Sequence, residues 1–349
     1  MVSEVELQAF GIAEGGKLPL PWLAAPLAQA LAHARSHALL VQGPAGVGQF
    51  ELALALAQSW LCEARLPGGM ACGRCASCHL FHARSHPDFQ FLVPDALRDA
   101  LGLAPDEAEG SAEPKASKAK PSREIKVDAV RKMLSFAQVT AARGEAKVVL
   151  VYPAEALNTV AANALLKTLE EPAGKLRFVL ASSAPEALLP TIRSRCQPVP
   201  LALPAQDLAL AWLRERGLAA PEVLLAAAGG RPQEALQWSE EGIAAQSWTE
   251  LPRRIARGEA TALSDWPVPR AIAAMQRLAH DLLRMSHGAG PSYFPLEALP
   301  AVPRAAPGLH DWIAALKHAA RHAEHPLNAG LLMESLVAQG QRAMHKARR

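Results

Sequence analysis

The pattern of apolar positions divides the chain near residue 200. Before that point, short apolar runs predict strands that begin at Ala38 and that span 86–94, 147–152 and 177–182. Apolar positions three and four apart predict helices over 23–38, from a glycine-rich turn to about Cys62, from about Val127, and over 159–170. Strands that alternate with helices in this way predict a doubly wound α/β domain with a parallel sheet.

Only helical patterns remain beyond Pro204. We therefore predict three parts: an α/β domain over 1–200, a small helical lid over 201–245 and an all-α C-terminal domain over 250–349. Two segments interrupt the first part. One is a cysteine-rich insertion at 62–80. The other, at 104–123, is rich in Ala, Pro, Ser, Lys and Glu without an apolar period, which predicts a disordered insert or a long loop.

The composition is ordinary for a globular protein, with 50% hydrophobic and 20% charged residues. A formal net charge of +3 is too small to indicate nucleic-acid binding by itself. The N-terminus has Glu4 and Glu6 and no basic stretch followed by an apolar one, so it does not match a signal peptide. Because no uncharged apolar run reaches the ~20 residues that cross a bilayer, we predict a cytoplasmic protein without a membrane partner.

The turn GPAGVGQF at 43–50 lies between a predicted strand and a predicted helix, where a phosphate-binding loop belongs. The working pattern is G-x-x-x-x-G-K-[ST], in which the lysine contacts the β- and γ-phosphates and the hydroxyl binds Mg²⁺. Gly43 and Gly48 match this pattern, with Gly46 between them, but Gln49 and Phe50 occupy the lysine and hydroxyl positions. The turn is therefore either a simple strand-to-helix connection or a degenerate phosphate loop.

The strand at 147–152 carries a second departure. Active nucleotidases place acidic residues after this strand, one for Mg²⁺ and one to activate water. Tyr152 and Pro153 occupy those positions here, and Glu155 comes two residues late. Because two independent catalytic elements are missing, we predict that this chain does not hydrolyse ATP.

Four of the five cysteines are close together, with spacing C-x9-C-x2-C-x2-C: Cys62, Cys72, Cys75 and Cys78. Four thiolates suit a closed, tetrahedral, structural Zn²⁺ site, and we favour that interpretation. An iron–sulfur cluster and four free buried cysteines are the alternatives, although the downstream C-P of the bacterial ferredoxin run is absent. Three histidines are near enough in sequence to be rival ligands: His79, His82 and His86. The distant Cys196 is predicted to be a small buried residue.

The segment at 147–196 resembles the AAA+ clamp-loader family of bacterial DNA polymerase III. Its most specific parts are NALLKTLEEP at 163–172 and the triplet Ser194, Arg195, Cys196. The resemblance extends to PWL at 21–23, the cysteine block and HPLNAGLLMESLV at 325–337, and thus covers nearly the whole chain. The missing lysine and acidic residues resemble the family's non-ATPase stator subunit more than its ATPase gamma and tau subunits.

This resemblance implies a hetero-pentamer with gamma/tau and delta subunits, which opens a sliding clamp and closes it on primed DNA. It implies that neighbouring subunits bind ATP, that the cysteine block holds Zn²⁺, and that the C-terminal domain is an oligomerisation collar. It also makes Arg195 an arginine finger for a neighbour's ATP, a task for which a planar, permanently charged group is suited. The residues that fall where the family has sensors are Ser182, Ser183 and Arg231.

Two other functions fit parts of the sequence. An ATP-hydrolysing, gamma/tau-like subunit would explain the resemblance but not the four substituted catalytic positions. A zinc-stabilised DNA-binding regulator would explain the cysteines, but the sequence lacks a strongly basic face. Nucleotide binding by the purified chain separates the ATPase from the other two functions, since only the ATPase requires it.

Overall fold

The computed structural model describes residues 10–103, 121–144, 146–301, 307–323 and 328–345. The chain forms two compact units, Met1–Ala205 and Gln206–Arg349. Most of the predicted insert at 104–123 lies outside the described residues. The division of the second unit into a lid and a collar stays a prediction.

Five strands form the sheet of the first unit: β1 Ala38–Gln42, β2 Phe89–Leu92, β3 Lys147–Val151, β4 Leu176–Ser182 and β5 Gln197–Pro200. Its α-helices are α1 Ala24–His33, α2 Gln49–Leu61, α3 Ala76–His82, α4 Asp95–Arg98, α5 Val127–Gln138, α6 Thr159–Glu170 and α7 Pro190–Arg193. Short 3₁₀ turns lie at Glu14–Gly16, Pro21–Leu23, Pro67–Gly69, Ala154–Ala156 and Pro185–Ala187.

All the strands are parallel, in the order β2-β3-β4-β1-β5. Every residue of β3 is buried, as expected of a strand covered on both faces. The structure thus confirms the doubly wound sheet that the apolar pattern and the AAA+ resemblance both predicted. The carboxyl ends of β1, β3 and β4 meet at one edge of the sheet, so the turn after β1 and the residues after β3 are brought together there.

Helix α6 illustrates how local sequence sets an element's bounds. Asn158 caps its N-terminus, because its side chain accepts a hydrogen bond from the Ala161 N–H at 2.9 Å. Pro172 follows its last turn, where a helix cannot easily continue. The observed helix, Thr159–Glu170, matches the predicted 159–170. In contrast, α1 ends at His33, five residues before the predicted end.

Strand β5 was not predicted from the sequence. It contains Pro198 and Pro200, and proline lacks the N–H that a strand donates to its neighbour. The strand lies at the edge of the sheet and pairs only with β1, with Pro198 opposite Leu40. An edge strand needs hydrogen bonds on one side alone, which is why the two prolines are tolerated.

The described part of the second unit is helical, with α8 Gln206–Glu215, α9 Pro221–Ala227, α10 Pro232–Glu240, α11 Ala245–Ala256, α12 Val268–Ser286, α13 Pro307–Arg321 and α14 Ala329–His345. Two 3₁₀ turns lie at Ala260–Leu263 and Leu296–Ala298. In its core the Trp248 ring stacks on Phe294, with ring centroids 4.4 Å apart. The buried Asp281 carboxylate accepts the N–H groups of 292–294 at 2.8–3.0 Å. Over the described ranges, no helix combines the length and apolarity needed to cross a membrane.

Candidate functional site

The glycine turn after β1 packs tightly against other residues of the first unit. Gly48 has φ +101°, a conformation that L side chains rarely adopt, and a Cβ there would lie 2.5 Å from Leu20 Cδ1. A Cβ on Gly43 would meet the Leu201 carbonyl oxygen. Trp22 Nε1 donates a hydrogen bond to the Val47 carbonyl at 2.8 Å. The PWL segment therefore holds the turn from outside, a role that the sequence alone did not reveal.

Gln49 does not extend from this turn as a phosphate-binding lysine would. Its side chain is buried, and its Nε2 donates to the Gly43 carbonyl at 2.6 Å and to the Pro44 carbonyl. The amide thus ties together the backbone of the turn that it follows. An uncharged group held in this way supplies no positive charge to a phosphate.

Phe50 lies next to Tyr152, with ring centroids 4.7 Å apart. These are the positions where an active nucleotidase has a hydroxyl and a carboxylate for Mg²⁺. The two rings belong to an aromatic cluster of Tyr152 and five of the chain's eight phenylalanines: Phe10, Phe50, Phe81, Phe89 and Phe91. Stacked and tilted rings thus pack where an active enzyme would hold a hydrated cation.

Glu155, the acidic residue that follows β3, faces another partner. Glu155 Oε1 accepts hydrogen bonds from the Ser183 hydroxyl at 2.8 Å and the Ser183 N–H at 3.1 Å. Ser182 is fully buried, and its hydroxyl accepts the Ala184 N–H at 3.2 Å. Glu155 and the two serines at the end of β4 therefore make structural contacts with each other and with the backbone.

The four clustered cysteines converge. All four Sγ atoms lie within 4.8 Å of one another, with Cys62 Sγ 3.6 Å from Cys72 Sγ and 3.8 Å from Cys75 Sγ. Four sulfurs at ~2.3 Å from one tetrahedral ion would be ~3.8 Å apart. An iron–sulfur cluster holds several metal atoms between its cysteines and would separate them further. The geometry therefore fits one metal ion such as zinc.

Backbone N–H groups point at these sulfurs. The Arg74 and Cys75 amides donate to Cys72 Sγ at 3.5 and 3.3 Å, and the Cys78 amide donates to Cys75 Sγ at 3.4 Å. Burial raises the pKa of Cys62 and Cys78. Burial would also raise the pKa of Cys72, but the two amides and the neighbouring thiols lower it to about 7. Amide donors of this kind stabilise thiolates, the form that binds a metal.

The turn between Cys72 and Cys75 requires its glycine. Gly73 has φ +74°, and a Cβ there would meet the backbone of Ala13 and Glu14. This close approach lets the Gly15 N–H donate to the Cys72 carbonyl at 3.3 Å. Residues 13–16 thus support the cysteine turn.

Two of the rival histidines have other partners. His86 Nδ1 accepts the Asp88 N–H at 3.1 Å, so its Nε2 donates to the Ser77 hydroxyl at 2.7 Å. His82 Nε2 donates to the Ile12 carbonyl at 2.9 Å. The ligand group that the described residues form contains cysteines alone. Cys196 lies apart from it, and burial raises its pKa to about 12.

Arg195 follows α7, between the exposed Ser194 and the buried Cys196. Its side chain is 30% exposed and forms an ion pair with Glu170 at the end of α6, where Nε donates to Glu170 Oε1 at 2.7 Å. Nη1 donates to the Thr191 carbonyl at 2.9 Å. The guanidinium therefore lies at the surface, and Glu170 and the Thr191 carbonyl fix its orientation. Glu170 belongs to the NALLKTLEEP segment but was not singled out from the sequence, because spacing does not show which carboxylate faces Arg195.

Arg231, at the start of α10, is held within the second unit. Its Nη1 forms an ion pair with Glu234 Oε2 at 2.6 Å, and its Nε donates to the Ala228 carbonyl at 2.7 Å. Glu234 also pairs with Arg277 at 3.0 Å. In this structure Arg231 contributes to a charged network beside the core.

Comparison with known proteins finds relatives among DNA polymerase III subunits. The family model described as DNA polymerase III, delta subunit, matches residues 23–205. The DNA polymerase III subunit delta' of Pseudomonas aeruginosa is 40% identical over 231 residues, which are 65% of this chain and 63% of that protein. The match thus spans somewhat less than two thirds of that relative. The Escherichia coli subunit delta' is 33% identical over 286 residues, 77% of each chain.

Among solved structures, a DNA polymerase III gamma subunit-related protein from Thermotoga maritima has a TM-score of 0.47 at 16% identity. The alignment covers 93% of this chain and 99% of that one. The sequence matches and the family model are what decide the assignment. The chain belongs to the DNA polymerase III delta-prime subunit family.

Proposed function

We propose that this chain is the non-catalytic stator of a DNA polymerase III clamp loader. In this role it assembles in the cytoplasm with gamma/tau and delta subunits in a hetero-pentamer that loads the sliding clamp onto primed DNA. The chain neither binds nor hydrolyses ATP productively; the neighbouring subunits do. Its direct contribution to their chemistry is Arg195, and its four cysteines hold a structural Zn²⁺.

The contact between Phe50 and Tyr152 is the observation that carries this proposal. A phosphate loop without lysine needs oxygen ligands for Mg²⁺ if it is to hold Mg²⁺–ATP at all. Here both Mg²⁺ positions carry aromatic rings that pack against each other, and Gln49 is bonded to the backbone of its own turn. A gamma/tau-like ATPase needs a lysine, a hydroxyl and a carboxylate at these three positions, so the stator role fits better.

The zinc assignment rests on the sulfur geometry and the amide donors described above. A zinc ion at this position would link the end of α2, which contributes Cys62, to α3 and the turn before it. Phe81 of α3 packs in turn against Phe10 and Phe89 of the aromatic cluster, with the rings tilted. The metal would therefore brace the same region that has lost its nucleotide chemistry.

Reconstitution tests the proposed role. Gamma/tau and delta subunits are mixed with or without this chain and assayed for loading of a labelled clamp onto primed DNA. We expect loading only when this chain is present. Full loading without it would contradict the stator role.

We expect the isolated chain to show no ATP hydrolysis, and Gln49→Lys to leave that result unchanged. Lysine would restore a positive charge, but Phe50, Tyr152 and Pro153 would still offer Mg²⁺ and the attacking water no ligand. Phosphate release and the fluorescence of a labelled ATP analogue measure hydrolysis and binding.

Gln49→Glu is the matched control, because it keeps the side chain's size and adds a negative charge that a true phosphate site would not tolerate. Its circular dichroism must match wild type, since a carboxylate cannot donate to the Gly43 and Pro44 carbonyls. Trace activity that persists in this variant comes from a contaminant. Hydrolysis that co-purifies with the wild-type chain and is lost in Gln49→Glu would refute the proposal.

A further inference from the structure

A cleft of about 700 Å³ lies at the edge of the sheet opposite the degenerate phosphate loop. Its walls come from the residues before β1, the start of β4, Gly144 and Ala146 before β3, and the end of α2. Four cationic side chains line it: Arg35, Arg65, Lys175 and Arg177. Glu63 is the acidic residue among the described lining residues, and it pairs with Arg143 outside the lining at 3.0 Å.

Two of the arginines are held close together through Trp60. The Arg177 guanidinium lies over the Trp60 ring, 4.7 Å from its centroid, and Arg65 Nη2 donates to the Trp60 carbonyl at 2.7 Å. Burial, together with the charge of Arg65, lowers the pKa of Arg177. Two like charges are thus fixed beside each other, which costs free energy unless an anion joins them.

Within the described part of the chain, none of the ion pairs involves Arg35, Arg65 or Arg177. Several other arginines do have a carboxylate partner, as Arg195 has Glu170 and Arg270 has Glu241. Within the described residues these three arginines therefore have no carboxylate partner, and the nearest anionic group of the lining besides Glu63 is Cys62 of the proposed zinc site.

The lining favours a polyanionic backbone over an acidic peptide. Its larger apolar side chains, Leu61 and Leu176, are 6% and 2% exposed, and the Trp60 ring is covered by Arg177. Peptide recognition usually relies on open pockets for side chains, and the remaining surface is formed largely by small residues such as Gly144 and Gly174. Phosphates need only well-placed cations. The small volume of the cleft favours a short stretch of one strand over a duplex.

We propose that this cleft binds the phosphodiester backbone of single-stranded DNA, weakly and without sequence preference. Arg177 is half-buried over the Trp60 ring, and Arg35 and Arg65 are exposed. The site goes beyond the proposed stator role and does not depend on it, because the binding belongs to this chain alone. A chain that binds the strand but fails to support clamp loading would refute the stator role only.

The test is fluorescence anisotropy of a labelled oligothymidylate titrated with the full chain, over a range of salt concentrations. The double variant Arg65→Ala, Arg177→Ala is expected to bind several-fold more weakly. The slope of log affinity against log salt should fall by ~0.7 for each arginine lost. Arg35→Glu changes an exposed residue that cannot disturb the core, and it should weaken binding too.

Arg131→Ala is the matched control, since it removes one charge from an exposed arginine of the same unit that pairs with Asp128. It should bind like wild type. Unchanged affinity in both cleft variants, or an equal loss in Arg131→Ala, would overturn the proposal. Displacement of the strand by polyglutamate at lower charge concentration than by unlabelled DNA would assign the cleft to an acidic peptide instead. Loss of zinc from the double variant, with unchanged binding by Arg35→Glu, would assign the arginines to the metal centre.

Discussion

Replacement of Cys72 by serine is expected to reduce bound zinc from one ion per chain to nearly none. Three thiolates would remain, and the lost sulfur accepts the amides of Arg74 and Cys75. Structural zinc supplies ~10–16 kcal/mol of apparent binding energy in small peptides. In this chain the parallel sheet has its own buried core, so the variant should keep its sheet while residues 62–82 become loose. Metal analysis and hydrogen exchange measure the two effects.

Cys196→Ala provides the control, because Cys196 is also buried but lies outside the sulfur cluster. It should retain one zinc per chain and normal exchange protection at 62–82. Purified wild-type chain that contains iron and sulfide, or no metal, would contradict the zinc assignment. So would a Cys72→Ser variant that keeps its full zinc content.

The apolar pattern predicted most of the first unit because its strands are short buried runs and its helices have local start and stop signals. Lys147–Val151 and Thr159–Glu170 were found close to their predicted bounds. Strand β5 was missed because its stability comes from pairing with β1, a contact between residues far apart in sequence. Local propensity counts Pro198 and Pro200 against a strand, and only the sheet order shows that they lie at an edge.

The candidate sites divide in the same way. The four cysteines were predictable, since their spacing is local and their chemistry is specific. The substitutions at Gln49, Phe50, Tyr152 and Pro153 were also visible, but what replaced the lost chemistry was not. The contact between Phe50 and Tyr152, and that between Arg195 and Glu170, join residues that the fold alone brings together. The arginine cleft gave no signal, because its members come from separate segments.

Arg195→Ala is expected to leave folding, zinc content and complex assembly intact and to lower DNA- and clamp-stimulated ATPase activity and clamp loading. An arginine finger contributes ~10³–10⁵ in rate at the site that it serves. The total ATPase activity of a loader should fall by less, since its other ATP sites keep their own arginines. The guanidinium is at the surface, as the proposed role on a neighbour's ATP requires, and in this chain it is paired with the Glu170 carboxylate. The assembled loader carrying each variant is assayed beside wild type.

Three further variants sharpen this test. Arg195→Lys should rescue only part of the activity, because an ammonium cannot make the planar two-point contact of a guanidinium. Arg193→Ala, which changes an exposed arginine two residues earlier on α7, should have no effect. Glu170→Gln keeps the shape of the ion-pair partner but removes its charge. If this variant changes ATPase activity when Arg195 is present and has no effect when position 195 is alanine, Glu170 positions the finger. Full activity with alanine at position 195 would mean that the arginine serves only its own chain, through Glu170 and Thr191, and that the subunit's contribution is architectural.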